Sequence, residues 1–202
     1  ESRALDLKSA AGKAELSALI VGADVFVEGF RPGVMARLGF DYPSVRALNK
    51  GIVYCSIAAF GQTGELAHHP AHDMAVQALS GFLSVVVDTE RPRFLGPALA
   101  DAITGIYAAY GVLGALLERS RTGTGRLVEV SMLEAMTHFA VDPFAAFFAL
   151  GDTPTSTDRP RLAQRNGMRL RRHRSQAIDD LCRVGKPPLT DDLDHADLPR
   201  SS

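Results

Sequence analysis

The sequence predicts an α/β fold, a Rossmann-like layered domain with parallel strands and flanking helices. Two short apolar segments, 23–27 and 51–57, have strand character and alternate with stretches of helical spacing. A third such segment, 126–132, follows the longest apolar helix. Helices that alternate with short apolar strands pack on a sheet whose strands are commonly parallel, and this pattern therefore fixes the predicted class.

Capping and turn residues mark the elements of the first half. Ser9 is a candidate N-cap for a helix that stops at Gly22. Pro32 suits the first turn of a short helix, and Asp41 with Pro43 opens the next one. The predicted elements are helix 10–22, strand 23–27, helix 32–39, helix 42–49 and strand 51–57.

The second half begins with a turn-rich loop over 58–73. Asp73 is a candidate cap for the helix after this loop, and Pro143 is expected to kink the last helix. The predicted elements are helix 74–81, a strand or extended segment with a loop over 82–97, a long helix that begins near Pro97 and ends before Ser120, strand 126–132 and helix 133–151.

These elements divide the chain into an α/β domain over 1–150 and a tail over 151–202. The tail has an arginine-dense stretch followed by an acidic, proline-bearing one, without a convincing apolar face. We expect a linker and an atypical, poorly ordered segment. The alternative interpretation is an RNA-binding arm followed by an acidic tail.

Composition narrows the classes of protein. A net charge of −1 over 202 residues argues against an overall nucleic-acid binder. Two cysteines make no disulfide framework, and the first residues resemble no signal peptide, so we expect a cytoplasmic protein. The longest apolar segment, 98–117, contains Asp101 and three glycines, which favours a core helix over a membrane span.

Asp101 is a carboxylate in the first turn of that apolar helix. Free N–H groups and the helix dipole favour its ionised form there, and an ionised carboxylate can act as a nucleophile or a base. An acid in a first turn also simply stabilises a helix, by about 0.3–1 kcal/mol. The pattern leaves both interpretations open. Helical spacing places the large residues on one stripe, namely Ile103, Ile106, Tyr107, Tyr110, Leu113 and Leu117.

Other charged residues are candidates for binding. Arg31 and Arg37 flank a glycine-proline turn and could hold a phosphate or diphosphate, or be solvated surface arginines. His72 adjoins Asp73 and could exchange a proton near neutral pH. The histidine-rich loop lacks the HExxH spacing of a zinc site, and we expect no metal there.

Several stretches, in this order, resemble the class III CoA-transferase family, which includes formyl-CoA transferase, carnitine CoA-transferase and α-methylacyl-CoA racemase. The resemblance runs from about Leu5 to about Pro160, and the sequence beyond about Gln164 does not resemble the family. The matching stretches are LDLKS, ADVFVEGFRPGVMARLGFDY, IVYCSIAAFGQTG, AHDMAVQALSG, LADAITGIYAAYGVLGALLER and GTGRLVEVSMLEA.

The resemblance implies that Asp101 is the catalytic aspartate. It also implies that coenzyme A is bound as a substrate, in acyl-CoA form, with no tightly bound cofactor. Lys8, Arg31 and Arg37 would meet its phosphates, and Phe30 would flank the adenine. The implied CoA contacts are Leu5, Asp6, Leu7, Lys8, Gly29, Phe30, Arg31, Arg37, and the stretch from Ala71 that includes Asp73.

Two chemistries fit this resemblance. In the transferases the aspartate attacks an acyl-CoA thioester to form a mixed anhydride, the CoA thiolate captures the enzyme's acyl group, and an acceptor carboxylate takes over the CoA. In the racemase a histidine, which corresponds to His72, and the aspartate are opposed bases on the carbon α to the thioester. The stretch LADAITG is similar to the transferases, so we predict CoA transfer, with racemisation as the alternative.

The chain also departs from the family. Its members are longer, begin with an additional strand and loop, and carry a smaller second domain. They assemble as homodimers of two interlocked rings, with each site built by both subunits. A third possibility is therefore a catalytically inactive, truncated fragment that binds CoA, and a shifted or truncated reading frame is a hypothesis for the tail.

Overall fold

The computed structural model describes residues 1–87 and 95–151, which lie in the first of two compact units, Glu1–Arg159. The strands in this part are β1 (Val25–Glu28), β2 (Val53–Ala58) and β3 (Leu127–Ser131). The helices are α1 (Ala10–Val21), α2 (Val34–Leu38), α3 (Tyr42–Leu48), α4 (Asp73–Leu79), α5 (Phe82–Val86), α6 (Leu99–Thr122), α7 (Met132–Phe139) and α8 (Val141–Leu150). Apart from Gly151, the predicted tail over 151–202 lies outside the described residues.

The three strands form one sheet in the order β1-β2-β3, and both pairs are parallel. The register aligns Glu28 with Ser56 and Ser56 with Glu129. The predicted α/β class with parallel strands is thus confirmed. Because the strands run in one direction, their carboxyl ends share one edge of the sheet, which we call the carboxyl edge.

Helices cover both faces of the sheet. Tyr54 of β2 packs in a core with residues of α1, α2 and α3, and its hydroxyl donates to the Phe40 carbonyl at 3.0 Å. The opposite face meets α6, where a Cβ added to Gly111 would lie 2.8 Å from Val128 Cγ1. The central strand β2 is therefore buried between layers, which accounts for its nearly continuous apolar run. The buried residues of the first core are Ile20, Met35, Phe40, Val45, Ile52 and Tyr54.

Two predicted caps are present. The Ser9 side chain accepts a hydrogen bond from the Gly12 N–H at 3.0 Å and begins α1. The Asp41 carboxylate accepts from the Ser44 N–H at 3.2 Å and begins α3. These local signals are confirmed because a short polar side chain satisfies N–H groups that a helix leaves free.

Three predicted elements differ from the structure. Residues 82–86, expected to be extended, form α5, since Gly81 at φ 76° turns the chain back into a helix. Helix α6 runs to Thr122, past the predicted end before Ser120, and Gly123 terminates it at φ 68°. The last helix breaks at Ala140 and not at Pro143, which stands in the first turn of α8 where its missing N–H costs no hydrogen bond.

Helix α6 contacts the sheet through small residues and exposes four of its large ones, although Ile103 is buried and Tyr107 is half-buried. Its buried residues include Ala100, Thr104, Ala108 and Ala115. The stripe of large residues that the sequence indicates is therefore only partly buried, since Ile103 lies in a core and four of the others are exposed. Four exposed residues make up what we call the α6 stripe: Ile106 (68% exposed), Tyr110 (78%), Leu113 (65%) and Leu117 (59%).

By length and composition, α6 is also the one described helix that could cross a membrane. Its apolar window has a mean hydropathy of 1.4, and 28% of that window is buried. The core helix of a protein without any membrane span can have the same composition, so this feature alone does not distinguish the two.

Candidate functional site

The direction of α6 brings Asp101 to the carboxyl edge. Near the end of the helix, Arg119 donates to the Gly51 carbonyl at 3.0 Å and pairs with the Asp24 carboxylate at 2.8 Å. Both partners lie at the amino ends of strands, so α6 runs antiparallel to the sheet. Asp101 lies about 27 Å from Arg119 along the helix axis, whereas a six-residue strand such as β2 is roughly 20 Å long. The helix therefore carries Asp101 from the amino ends of the strands past their carboxyl ends.

Asp73 caps α6, although the sequence predicts that it caps its own helix. Its Oδ1 accepts hydrogen bonds from the N–H groups of Ala100, at 2.6 Å, and Asp101, at 3.2 Å. His72 occupies the N-cap position of α4 and makes no side-chain cap bond. The predicted role is wrong because the α6 N-cap residue, Ala98, has no polar side chain, and the Asp73 carboxylate satisfies those N–H groups instead.

The environment raises the pKa of the Asp101 carboxyl above its ordinary value. Partial desolvation is the largest cause, and the negative charge of Asp73 adds to it. The positive charge of His72 acts in the opposite direction and lowers the pKa. From the sequence, the free N–H groups of the helix terminus are expected to favour the ionised form of Asp101. Desolvation and repulsion outweigh this effect, since the Asp73 carboxylate already binds those N–H groups. The Asp101 side chain remains exposed to solutes.

A second core supports this pair of carboxylates. It joins Val76 of α4, Ala100 and Ile103 of α6, and Met136 of α7. Gln77, which is 1% exposed, donates from Nε2 to the Asp73 carboxylate at 2.6 Å. Sequence reasoning missed Gln77, although an aspartate and a glutamine four residues apart on a helix are a known hydrogen-bonding pair.

The glycine-proline turn follows β1 at the carboxyl edge. Its Gly29, Phe30 and Arg31, and also Arg37 of α2, are exposed. Arg31 lines a cavity of about 180 Å³, and the Arg37 guanidinium folds towards the turn, 3.4 Å from the position of a Cβ on Gly33. Two cations therefore lie close to one solvent-facing turn, an arrangement that suits an anionic ligand.

The segment Leu5–Lys8 packs against the first turn of α1. A Cβ on Gly12 would lie 2.1 Å from the Asp6 carbonyl oxygen, so only glycine permits this approach. Leu7 packs against the first core, the Asp6 carboxylate accepts from the Lys8 N–H at 2.9 Å, and the Lys8 side chain is exposed.

The direction of α1 places the same segment on the side of the carboxyl edge. The Asn49 amide donates to the carbonyls of Ile20 and Ala23 at 3.0 and 2.9 Å, which fixes the end of α1 at the amino ends of the strands. The start of α1 and Leu5–Lys8 therefore lie towards the opposite edge. The structure thus places all the predicted site residues towards one edge of the sheet, and it joins Asp73 directly to Asp101.

The residues described by the structure include no group of three or more His, Cys, Asp or Glu side chains placed to hold a metal ion. Cys55 is buried in β2, and burial raises the pKa of its thiol, with a smaller contribution from Glu28. A thiol of this kind is a poor nucleophile, so the exposed carboxylate is the stronger candidate for covalent chemistry.

Known proteins resemble this chain in sequence and in structure. Acetyl-CoA:oxalate CoA-transferase of Acetobacter aceti is 39% identical over 156 residues, which are 76% of this chain and 40% of that protein. Succinate–glutarate CoA-transferase of Agrobacterium fabrum (strain C58) is 38% identical over 133 residues, covering 65% of this chain and 33% of that protein. A CAIB/BAIF family protein from Brucella suis superposes with a TM-score of 0.72 at 31% identity, over 75% of this chain and 40% of its own.

The family match covers residues 1–174 and is described as CoA-transferase family III. The resemblance stated from the motifs is confirmed, but it extends past the predicted limit of about Pro160, and the expectation that the sequence beyond about Gln164 does not resemble the family is wrong for residues up to 174. The chain spans 40% of the length of the Acetobacter relative that it matches. This match extends over most of the chain, and the protein therefore belongs to CoA-transferase family III.

Proposed function

We propose that the protein transfers CoA from an acyl-CoA donor to a carboxylic acid acceptor, with Asp101 as the nucleophile. The observation that carries this proposal is the exposed carboxylate of Asp101 at the N-terminus of α6, on the edge of the sheet that also bears the arginine turn. The names of the relatives, which are CoA-transferases, support the same class of reaction.

The proposed reaction conserves the thioester through covalent steps. An Asp101 oxygen attacks the donor's thioester carbonyl and the C–S bond breaks. This step releases CoA thiolate and forms an aspartyl-acyl anhydride. The thiolate then attacks the aspartyl carbonyl, which releases the donor's carboxylate and forms an aspartyl-CoA thioester. The acceptor carboxylate attacks that thioester to give a second anhydride, and the released thiolate takes the acceptor's acyl group and frees Asp101. Dividing the exchange in this way replaces one difficult step by easier ones.

The proposed CoA site uses the residues at the carboxyl edge. Lys8, Arg31 and Arg37 supply cations for the phosphates, and arginine can bind a phosphate in bidentate geometry. Phe30, which is 50% exposed, offers a face for the adenine. These roles, like that of the stretch from Ala71, follow from the family resemblance and agree with the exposure of the side chains.

Racemisation is a second candidate, because His72 is close enough to Asp101 for its charge to lower that pKa. In that reaction one of the two groups would take the proton from the carbon α to the thioester, and the other would return a proton to the opposite face. A histidine is suited to this exchange near neutral pH.

We also propose that the protein forms a homodimer in the cytoplasm. The α6 stripe supports association, since contiguous exposed apolar residues mark interaction surfaces. Acyl-CoA and a small carboxylic acid are the proposed small-molecule partners. A chain that binds CoA without turning it over is the competing possibility from a non-enzymatic class.

Isotope transfer separates these candidates. The protein is incubated in heavy water with a ¹³C-labelled carboxylate and an acyl-CoA, such as acetyl-CoA, succinyl-CoA or a 2-methylacyl-CoA, whose α carbon is stereogenic as racemisation requires. The products are read by mass spectrometry. We expect a labelled acyl-CoA whose formation stops in Asp101→Ala and continues in Asp142→Ala, a matched acid in the first turn of α8. Deuterium at the α carbon without a labelled acyl-CoA would favour racemisation, and CoA binding with neither product would contradict both enzymatic candidates.

A further inference from the structure

Glu28 is a buried carboxylate that the proposed chemistry does not use. It ends β1, directly before the glycine-proline turn, and it is 8% exposed. Burying a carboxylate is costly unless hydrogen bonds satisfy it. Its partners therefore indicate what the residue does in this fold.

The Glu28 carboxylate joins the turn to the neighbouring strand and loop. One oxygen accepts from the Phe30 N–H at 2.9 Å, and the other accepts from the hydroxyl of Ser56, its register partner on β2. Ser56, which is 4% exposed, in turn accepts from Gln62 Nε2 at 2.7 Å. The three side chains form one directed chain of hydrogen bonds, from Gln62 through Ser56 to Glu28.

This series of hydrogen bonds ends on the backbone of the turn that carries Arg31. Glu28, Ser56 and Gln62 line the same cavity as Arg31. The bond to the Phe30 N–H fixes the backbone one residue before Arg31, so it restrains the direction in which Phe30 and Arg31 leave the sheet. Without it, ordering the turn on a ligand would cost conformational entropy at the moment of binding.

We propose that Glu28 is a positioning residue, which holds the turn 29–31 in the conformation that receives CoA. The proposal rests on the proposed CoA-binding role of that turn. Ser56 and Gln62 orient the Glu28 carboxylate, and the hydrogen bonds of these three side chains run to one another and to the turn, not to Asp101. The contribution of Glu28 therefore lies in ligand affinity and not in the chemical step.

Two substitutions at one position separate this role from simple stabilisation. Glu28→Gln keeps a carbonyl oxygen for the Phe30 N–H, and its amide can donate to Ser56. Glu28→Ala leaves both groups without that partner. We expect the dissociation constant for CoA to rise about tenfold in Glu28→Ala, the effect of losing one hydrogen bond to a charged group, and to stay within about threefold of wild type in Glu28→Gln.

The measurements are calorimetric titration with CoA, the melting temperature, and hydrogen exchange of the Phe30 amide read by NMR. Where turnover is present, KM for the acyl-CoA should rise in Glu28→Ala while kcat stays near wild type. Equal CoA affinity in the folded Glu28→Ala and wild-type proteins would overturn the proposal, even with a lowered melting temperature. Should wild type itself fail to bind CoA, the proposed function fails, and the exchange experiment alone decides the positioning role. Faster Phe30 exchange in Glu28→Ala but not in Glu28→Gln supports it, and unchanged exchange overturns it.

Discussion

Asp73 and Asp101 share the N-terminus of α6, and their proximity contributes to the acid–base behaviour of the site. Asp73 accepts hydrogen bonds from that terminus and is fixed by Gln77. Partial desolvation is the largest cause that raises the pKa of Asp101, the repulsion of Asp73 adds to it, and the attraction of His72 opposes it. A carboxylate whose pKa is raised in this way is a stronger base than that of an ordinary aspartate. A stronger base is the better nucleophile in acyl transfer.

Replacing Asp101 by asparagine should stabilise the fold at neutral pH. In wild type the pKa of Asp101 in the folded state exceeds the unfolded value of about 3.9. Between these two pKa values the folded state binds more protons than the unfolded state, so the free energy of unfolding falls as the pH rises through that window. Asp101→Asn removes this loss, so we expect the variant to be more stable than wild type above the window and to show no such gain below about pH 3.9. Thermal unfolding against pH, with Asp142→Asn as the matched control, measures it. A variant less stable than wild type at neutral pH would contradict the repulsion.

The two roles of Asp73 can be divided by two substitutions. Asp73→Asn keeps an oxygen for the N–H groups of α6 and removes the charge, so the pKa of Asp101 should fall and activity should persist to lower pH than in wild type. Asp73→Ala also removes the cap and should cost about 1 kcal/mol of unfolding free energy. The acidic limb of the pH–rate profile and urea unfolding report these effects. An acidic limb that stays in place in Asp73→Asn would show that Asp73 does not influence Asp101.

At this scale the sequence indicates candidates but not their partners. Asp101 stands out as one acid in an apolar helix, and Arg31 stands out beside a glycine-proline turn. The bond between Asp73 and Ala100 joins residues 27 positions apart, which no local pattern predicts. The family resemblance is what singles out Asp101 as the catalytic candidate, and the structure shows that Asp73 is its neighbour.

Helix α6 is the element that connects the sheet to the site. Its C-terminal Arg119 is bound at the amino ends of the strands, and its N-terminus carries Asp101. Small residues on its buried side permit close approach to β3. The periodicity of the large residues correctly indicates a long helix. It does not show that only part of their stripe is buried, because the helix meets β3 through small residues such as Gly111.

Two glycines of α6 test that packing. At Gly111 a new Cβ would lie 2.8 Å from Val128 Cγ1, whereas at Gly114 nothing lies within 4 Å. Gly114→Ala should stabilise the protein by about 0.5–1 kcal/mol through helix propensity. Gly111→Ala should lose that gain to overpacking and be destabilised by about 1–3 kcal/mol. Chemical denaturation of both variants compares them directly, and equal stabilities would show that α6 does not press on β3.

The α6 stripe tests the proposed homodimer. Its residues recur at steps of four, three and four, the spacing of a helix–helix seam. Leu113→Lys combined with Leu117→Lys places two charges on an exposed surface, so the single chain should remain folded while self-association is lost. Sedimentation velocity with circular dichroism measures both properties. An unchanged sedimentation coefficient at equal concentration would contradict association through this stripe.

For the molecule as a whole, the arrangement of parallel strands explains why distant segments can form one site. The predicted strands alternate with helices, and this pattern alone indicates that the strands' carboxyl ends share an edge. Segments near Leu5, Arg31 and Asp101 all lie towards that edge, in agreement with the resemblance. The short helix α5 could not be predicted, because it depends on a left-handed Gly81 and not on an apolar period.

The division into a domain over 1–150 and a tail over 151–202 remains a prediction, as does the origin of the tail. The family match reaches residue 174, so part of the predicted tail belongs to the family by sequence. Its arginine density masks any apolar period, which is why pattern reasoning placed the end of the resemblance too early.

The central claim is that the Asp101 carboxylate becomes covalently joined to CoA during turnover. The most direct measurement is to quench the protein with hydroxylamine after incubation with an acyl-CoA, and then to map its peptides by mass spectrometry. Hydroxylamine converts an aspartyl thioester or anhydride into a hydroxamate, so we predict a hydroxamate on Asp101 that depends on the acyl-CoA. Formation of labelled acyl-CoA by the same preparation, with Asp101 unmodified in every quenched sample or with the hydroxamate on another residue, would contradict the account.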